Sequence, residues 1–240
     1  MTEFDGAPAG LPGTPIVFEG AAVVSPEGAE ILRPTTLTLT ERRVSIVGAN
    51  GSGKSTLARL INGLIEPSAG TVRVGDLDTV REGAAVRREV GFVFTDPAAQ
   101  LIMPTVIEDV ELSLRREHPK PEARRQAALA TLERFGLAHL AERSVHTLSG
   151  GQKQLLAIAT VLSTSPKVLV ADEPTTLLDL RNSVRIGDLL MSLPQQVVVV
   201  THDLELAARA DRTLVVEDGS VVFDGDPHRA IAHYRASVAS

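Results

Sequence analysis

The chain has 240 residues, of which 43% are hydrophobic and 22% are charged, and its formal net charge is −6. This length fits one α/β domain, or one domain with an inserted lobe, better than two independent domains. The acidic balance argues against a general nucleic-acid binder, no apolar run is long enough to cross a bilayer, and the absence of cysteine excludes disulfides and thiolate metal sites.

The N-terminal residues predict a tail followed by an antiparallel pair of strands. Residues 1–14 are rich in Gly and Pro and lack the basic start and apolar segment of a signal peptide, so we predict a disordered tail before a domain at 15–240. Residues 15–24 and 35–40 contain many β-branched side chains and flank a Pro26-Glu27-Gly28 turn. This pattern is typical of paired strands.

The next segment fits the phosphate-loop pattern G-x-x-x-x-G-K-S at every fixed position, from Gly48 to Ser55. A short buried strand is predicted at 43–47, directly before the loop. A helix at 54–64 is predicted to follow it, with one apolar face made of Leu57, Leu60, Ile61 and Leu64. A bare glycine-rich turn, which is the alternative, does not explain strand, loop and helix in this order.

Such a loop directs backbone N–H groups at a phosphate, and the helix N-terminus behind it adds partial positive charge. Lys54 would reach the β- and γ-phosphates, and Ser55 would ligate Mg²⁺. The predicted nucleotide-binding residues of this segment are Gly48, Ala49, Asn50, Gly51, Ser52, Gly53, Lys54, Ser55 and Thr56.

A largely helical region follows short strands predicted at 71–74 and 90–94, with helices at 105–116 and 121–135. Leu148-Ser149-Gly150-Gly151-Gln152 then opens an apolar-faced helix that reaches about Leu162. In isolation this turn is most often a helix cap. Its hydroxyl and backbone donors also predict a second anion site, in which Ser149, Gly150, Gly151 and Gln152 could complete the nucleotide site of a neighbouring copy.

The second half returns to strands that are apolar throughout, at 168–171 and 197–200, as expected for a parallel sheet buried on both faces. Asp172 and Glu173 follow the first of them, at the edge where open α/β sheets bind ligands. Asp172 is a candidate Mg²⁺ ligand and Glu173 a candidate proton acceptor from an attacking water, although a solvated acidic pair is the simpler alternative.

An Asp-Gly hairpin signal within 213–223 and a helix at 227–237 end the chain. The order of elements predicts an α/β domain with a mainly parallel core sheet and an inserted helical lobe. We assign the core to residues 15–95 and 164–226, the helical insert to 96–163, and the short C-terminal helix to 227–237.

Taken together, these motifs resemble those of the nucleotide-binding subunit of an ATP-binding-cassette (ABC) transporter, along nearly the whole chain. By this resemblance Gly48 to Ser55 is the Walker A loop and Leu148 to Gln152 the signature motif. Asp172 with Glu173 corresponds to the Walker B aspartate and the catalytic glutamate. Leu177-Leu178-Asp179 resembles the D-loop at a dimer seam, and Thr201-His202-Asp203 resembles the switch-histidine segment.

The resemblance implies the ABC ATPase fold, with a P-loop NTPase core, an N-terminal antiparallel β subdomain and an inserted α-helical subdomain. It implies ATP and Mg²⁺ as cofactors, catalytic roles for Glu173, His202 and Lys54, and Mg²⁺ ligation by Ser55 and Asp172. Thr95 stands where the family has its Q-loop glutamine, so its hydroxyl is a further candidate Mg²⁺ contact; the nearest glutamine is Gln100. Ser25 replaces the aromatic that stacks on adenine in relatives.

Residues 91–110 are similar to the segment with which energy-coupling-factor transporters contact their membrane scaffold, and most similar to that of biotin-transporter ATPases. The implied partners are a transmembrane scaffold subunit, a substrate-capturing membrane subunit and a second ATPase copy, as a homodimer or a heterodimer, with no nucleic acid. The implied location is peripheral, at the cytoplasmic face of the cell membrane.

Alternatives remain for the solute and for the class of protein. Cobalt, nickel or another vitamin could replace biotin, and a soluble ATPase of iron–sulfur cluster assembly would share the fold. A DNA-repair ATPase would need a long coiled coil, which the sequence does not contain. The acidic run at 108–111 is either a solvated face or a contact with basic side chains of a membrane subunit.

Overall fold

The computed structural model describes residues 13–239, which form a four-stranded sheet, a six-stranded sheet and eight α-helices. Of the tail predicted at 1–14, only Gly13 and Thr14 lie within these residues. The Gly13 N–H donates to Thr40 O over 2.7 Å.

The helices and strands have the following bounds. The strands are β1 (Ile16–Val24), β2 (Glu30–Leu39), β3 (Arg43–Val47), β4 (Ala69–Val74), β5 (Leu77–Asp78), β6 (Val90–Val93), β7 (Val168–Asp172), β8 (Gln196–Val200), β9 (Arg212–Glu217) and β10 (Ser220–Gly225). The helices are α1 (Lys54–Asn62), α2 (Gly83–Glu89), α3 (Val106–Leu114), α4 (Pro121–Arg134), α5 (Gly150–Leu162), α6 (Leu180–Ser192), α7 (Leu204–Ala207) and α8 (Pro227–Val238).

The core sheet has the order β10-β9-β3-β8-β7-β6, and its strands are parallel except for the β9–β10 hairpin. Every residue of β3, β7 and β8 is buried, which explains the unbroken apolar runs at 168–171 and 197–200. Helix α1 packs against this sheet through Leu57, Leu60 and Ile61. The predicted parallel core is confirmed.

The N-terminal sheet has the order β2-β1-β4-β5 and is antiparallel. Its apolar face closes over α1, so that Phe18, Leu32 and Val72 share one core with the parallel strands. The predicted antiparallel pair is confirmed, but β2 begins at Glu30 and is longer than the predicted 35–40. Glu30, Arg33 and Pro34 interrupt the apolar pattern of its first half, which hid the pairing of this part with β1.

The helical region between β6 and β7 packs around a core of its own, formed by α3, α4 and α5. Val110, Leu132 and Leu156 are among its fully buried side chains. This core continues onto the parallel sheet at Leu169 and Val197. The sheet edge is thereby connected by direct packing to the start of α5.

The prediction that Leu64 belongs to the apolar face of α1 is wrong. Helix α1 ends at Asn62, because Gly63 takes a left-handed conformation with φ 67° and lies close to Thr79 O, where an added Cβ would approach to 2.7 Å. Leu64 therefore lies beyond the helix and is 43% exposed.

Both readings of the acidic run at 108–111 are wrong for Asp109. Its carboxylate is 2% exposed and accepts hydrogen bonds from Ile102 N–H, Met103 N–H and the Thr160 hydroxyl. Glu108 forms a capping box with Thr105 at the start of α3. These acids order the insert itself, so charge reversal at Glu108 and Asp109 would disturb the fold of the insert as well as any contact with a partner.

Candidate active site

The phosphate loop is held against the hairpin of β9 and β10. Gly48 has φ 148°, and a Cβ there would lie 2.1 Å from Val216 O, so any side chain would displace the loop from β9. Gly219 N–H donates to Ser52 O over 2.9 Å, while the buried Ser52 hydroxyl has no partner. The loop conformation is therefore fixed by backbone packing.

Helix α1 begins at this loop without a side-chain cap, since its N-cap residue is Gly53, with φ 102°. The first N–H groups of an α-helix have no partner within the helix, so those of α1 are available to an anion. Lys54 is buried and its Nζ donates to Ala49 O over 2.6 Å. Burial lowers the pKa of Lys54, while the charges of Glu173 and Asp172 oppose that change.

Asp172, at the end of β7, joins the phosphate loop to the core sheet. One carboxylate oxygen accepts from the Ser55 hydroxyl over 2.8 Å and the other from Arg59 Nη2 over 3.2 Å. Hydroxyl and carboxylate oxygens are hard ligands of the kind that Mg²⁺ prefers. The two residues predicted to ligate Mg²⁺ are thus adjacent, and their chemistry fits that ion.

Glu173 begins the turn after β7 and has a left-handed backbone, with φ 53°, while its N–H donates to Val200 O. This unusual conformation directs its carboxylate toward the end of β8. There Glu173 Oε2 lies 2.7 Å from His202 Nδ1 and 2.9 Å from the Thr176 hydroxyl. When Glu173 is ionised, its carboxylate only accepts hydrogen bonds, and His202 then donates through Nδ1.

The two residues at the Q-loop position have different environments. The Thr95 hydroxyl donates to Asp172 O over 2.9 Å, close to the candidate Mg²⁺ ligands. Gln100 instead bonds the backbone at the end of β6, where it accepts from Phe94 N–H and donates to Phe92 O. Because β6 is the edge strand, Gln100 satisfies backbone groups that lack a neighbouring strand, and only Thr95 lines the cavity.

Ser25 lies in the turn between β1 and β2, where its hydroxyl accepts from Ala29 N–H over 3.2 Å. The same turn contains the bond from Ser25 N–H to Ala29 O. The side chain thus closes a turn and offers no aromatic face to a base.

A cavity of about 530 Å³ brings together six of the predicted residues, from the start of the phosphate loop and from the ends of β6, β7 and β8. Its lining contains Gly48, Ala49, Asn50, Thr95, Glu173, Thr176, His202 and Tyr234. Thr176 and Tyr234 were not predicted from the sequence, and neither was Arg59, the partner of Asp172. Thr176 follows the Walker B acids and could have been suspected, whereas nothing in the motif spacing points to Tyr234.

The residues of the second predicted anion site, Ser149 to Gln152, do not line this cavity. They form a capping box in which the Ser149 hydroxyl accepts from Gln152 N–H and Gln152 Oε1 accepts from Ser149 N–H. A Cβ on Gly151 would lie 2.6 Å from Asn182 Cγ. The start of α5 therefore packs closely on the start of α6.

The D-loop residues of the same chain form the other side of that contact. Asp179 caps α6 by accepting from Asn182 N–H and Asn182 Nδ2, and these bonds lower the pKa of Asp179. Leu177 and Leu180 are exposed beside it. The signature turn and the D-loop thus form one surface, separate from the phosphate loop of their own chain.

Residues 32–176 match the family model described as "ABC transporter". A putative ABC transporter ATP-binding protein of Deinococcus radiodurans is 48% identical over 85% of this chain and 91% of its own. The biotin transport ATP-binding protein BioM of Rhizobium etli is 43% identical over 93% of this chain and 99% of its own.

Solved structures agree with this family. CbiO1 from Clostridium perfringens, described as part of the ABC transporter complex cbiONQ, has a TM-score of 0.80, with 30% identity and 92% of each chain covered. A dimeric ATP-binding cassette bound to ADP and Pi has a TM-score of 0.79, with 33% identity, covering 88% of this chain and 98% of that one.

In residues 13–239 we find no helix that combines the length and apolarity needed to cross a membrane. The six-stranded sheet, the antiparallel subdomain and the helical insert are those of an ABC ATPase cassette. The chain belongs to the ABC transporter family, and it is an ATPase.

Proposed function

We propose that this chain is the ATP-hydrolysing subunit of a membrane importer of the energy-coupling-factor type, with biotin as the first candidate solute. One observation carries the catalytic part of the proposal. A single cavity is lined by the first residues of the phosphate loop, Gly48 to Asn50, by a carboxylate that follows β7 and by an imidazole that follows β8, with Glu173 and His202 already 2.7 Å apart.

Hydrolysis at this cavity would follow from the positions of these side chains. Lys54 and the N–H groups of α1 bind the phosphates, and Glu173 orients the attacking water and accepts its proton. The water oxygen bonds to the γ-phosphorus as the bond to the β–γ bridging oxygen breaks, which releases ADP and phosphate. His202 holds Glu173 in place and stabilises charge on the γ-phosphoryl oxygens.

Ser55 and Asp172 would hold Mg²⁺, with Thr95 as a further oxygen contact. When bound, the ion supplies positive charge to the β- and γ-phosphate oxygens. Arg59 contributes by pairing with the second oxygen of Asp172, which leaves the first oxygen directed at Ser55.

A second copy would complete each site. Ser149 to Gln152 lie outside the cavity of their own chain, yet their helix start carries exposed donors suited to a phosphate. A head-to-tail dimer would place these residues over the phosphate loop of the other copy. A relative solved as a dimeric cassette with ADP and Pi supports this arrangement, in a homodimer or with a sister ATPase.

Membrane partners follow from the names of the relatives. BioM proteins are called biotin transport ATP-binding proteins, and CbiO1 is described as part of the cbiONQ transporter complex. We propose a transmembrane scaffold and a substrate-capturing membrane subunit as partners, and a peripheral position on the cytoplasmic face of the membrane. Cobalt, nickel or another vitamin are the other candidate solutes.

The test of catalysis is Glu173→Gln, which keeps the shape of the side chain and removes its basicity. We expect ATP turnover to fall at least 100-fold, in the range of a lost general base, while Mg-ATP still binds and drives dimerisation in size-exclusion chromatography. A variant that hydrolyses ATP normally would exclude Glu173 as the base.

The test of the transport role is purification of the tagged chain from its own cells in mild detergent. Two co-purifying membrane proteins and uptake of labelled biotin that depends on Glu173 would support the proposal. Recovery with a soluble scaffold alone would favour cluster assembly instead.

A further inference from the structure

Tyr234 belongs to the wall of the catalytic cavity although it lies on the C-terminal helix, far in sequence from every motif. Asp226 caps α8 by accepting from Arg229 N–H over 3.0 Å, and Pro227 occupies the first turn. Ala230 and Ile231 anchor the helix in a small core that includes β9. Tyr234 follows on the same face, one turn later, which directs it toward the phosphate loop.

Tyr234 lines two cavities beside the loop. The first is the catalytic cavity, whose lining it shares with Glu173 and His202. The second, of about 300 Å³, lies between residues 49–52 and the hairpin residues Glu217 and Asp218. The ring therefore stands beside Ala49 and Asn50, at the end of the loop farthest in sequence from Lys54.

The Tyr234 side chain is half-buried, yet among residues 13–239 its hydroxyl makes no hydrogen bond. The hydroxyl is not enclosed by protein atoms, so it is open to a ligand that occupies the cavity. Ser237, one turn further on, bonds Glu217 and the Tyr234 carbonyl, so the backbone of this turn is fixed while the phenol remains free to donate.

We propose that Tyr234 is a substrate-contacting residue whose hydroxyl donates a hydrogen bond to the terminal phosphate of the bound nucleoside triphosphate. This inference rests on the proposed function, since it takes ATP hydrolysis in this cavity as given. The γ-phosphate is the relevant group because Tyr234 shares its cavity with Glu173 and His202. The start of α1, where the β-phosphate would bind, does not line that cavity.

The variant Tyr234→Phe removes only the hydroxyl and keeps the ring. Hydrogen bonds to charged groups contribute about 1.5–3 kcal/mol, so we expect binding of a non-hydrolysable ATP analogue with Mg²⁺ to weaken at least tenfold in calorimetry. Binding of Mg-ADP should not change, because ADP lacks the contacted group. Arg235→Gln, at an exposed neighbour on α8, is the control and should bind both nucleotides normally.

Equal loss of affinity for ADP and the ATP analogue in Tyr234→Phe would overturn the proposal, because it would indicate a structural effect on the loop. Unchanged affinity for both would overturn it as well. If the wild-type chain binds neither nucleotide, the proposed function itself fails, and this outcome is distinct from a failure that concerns Tyr234 alone.

The composition offers a second measurement, because the chain has one tyrosine and no tryptophan. Tyrosine emission from the purified protein therefore comes from Tyr234 alone. We expect the ATP analogue to change this emission more than ADP does. Free N-acetyltyrosinamide, titrated with the same nucleotides, corrects for the light that the nucleotides absorb. Saturation with the analogue and no change in emission would count against a contact with the γ-phosphate.

Discussion

Asp109 is a buried acidic residue of α3. Its carboxylate accepts hydrogen bonds from three donors. Two of the donors belong to the loop at Ile102 and Met103, and the third, Thr160, belongs to α5. The loop that resembles a membrane-subunit contact is thus tied to the helix that begins with the signature turn. A single carboxylate links the two regions whose movements transport would have to couple.

We expect Asp109→Ala to lower the free energy of unfolding by about 2–3 kcal/mol, since three donors lose a charged acceptor. The matched control is Glu111→Ala, because Glu111 is on the same helix and makes only a 3.8 Å ion pair with Arg125. That pair is partly solvated, and its loss should cost less than 1 kcal/mol. Urea unfolding of both variants measures the difference, and equal costs would show that Asp109 is not a structural link.

Ser25 provides a gain-of-function prediction for base binding. Stacking of a base on an aromatic side chain contributes about 1–3 kcal/mol and depends little on the base. We expect the wild-type chain to discriminate poorly between ATP and GTP. We expect Ser25→Tyr to tighten the binding of each nucleotide by about tenfold. Ser25→Leu, which adds apolar bulk without an aromatic face, is the control. Nucleotide competition that shows strong ATP preference in the wild-type chain would contradict the prediction.

At the scale of the element, the contact between the starts of α5 and α6 leaves different amounts of space at two adjacent glycines, Gly150 and Gly151. A Cβ on Gly150 would have its nearest neighbour, Leu177 O, at 3.8 Å, whereas one on Gly151 would meet the Asn182 side chain at 2.6 Å. Asn182 is held by two hydrogen bonds to Asp179. It must therefore move, and break one of these bonds, to admit a side chain at position 151.

Alanine favours a helix over glycine by up to about 1 kcal/mol. We expect Gly150→Ala to keep or slightly raise the free energy of unfolding. The free energy of unfolding of Gly151→Ala should be about 1 kcal/mol lower than that of Gly150→Ala, because the lost contact between Asn182 and Asp179 offsets the gain in helix propensity. Thermal unfolding of the purified variants tests this, and indistinguishable midpoints would mean that α6 adjusts freely. Activity is not the readout, because both glycines belong to the proposed nucleotide site.

The sequence predicted those elements whose pattern is set by burial on both faces or by a motif. β7 and β8 were recognisable from their unbroken apolar runs, and β3 and α1 because the phosphate loop lies between them. Helix α6 was not predicted, since Leu180 is 82% and Val184 is 54% exposed, so that apolar residues occur on both of its faces. Tyr234 reaches the site only through the packing of α8, which no local pattern encodes.

At the scale of the whole molecule, the two sheets are joined by the guanidinium of Arg212 on β9. Its Nη1 donates to Thr38 O of β2 over 2.8 Å and to both Glu41 carboxylate oxygens, while Nε and Nη2 bond Asp224 of β10. The hydrogen bonds to Asp224 raise the pKa of Arg212, although partial burial opposes that rise. This bidentate geometry suits arginine and no other residue.

We expect Arg212→Leu to lower the free energy of unfolding by about 2–4 kcal/mol, because Glu41 and Asp224 lose their shared cation and Thr38 loses its donor. Arg212→Lys should recover only part of this, since an ammonium cannot bond both carboxylates and the carbonyl with the same geometry. The control is Arg209→Ala, which removes an exposed ion pair in which Arg209 Nη1 lies 2.9 Å from Asp188 Oδ1. Its loss should cost less than 1 kcal/mol. Similar losses for Arg212→Leu and Arg209→Ala in urea unfolding would mean that apolar packing around α1 alone holds the antiparallel sheet on the core.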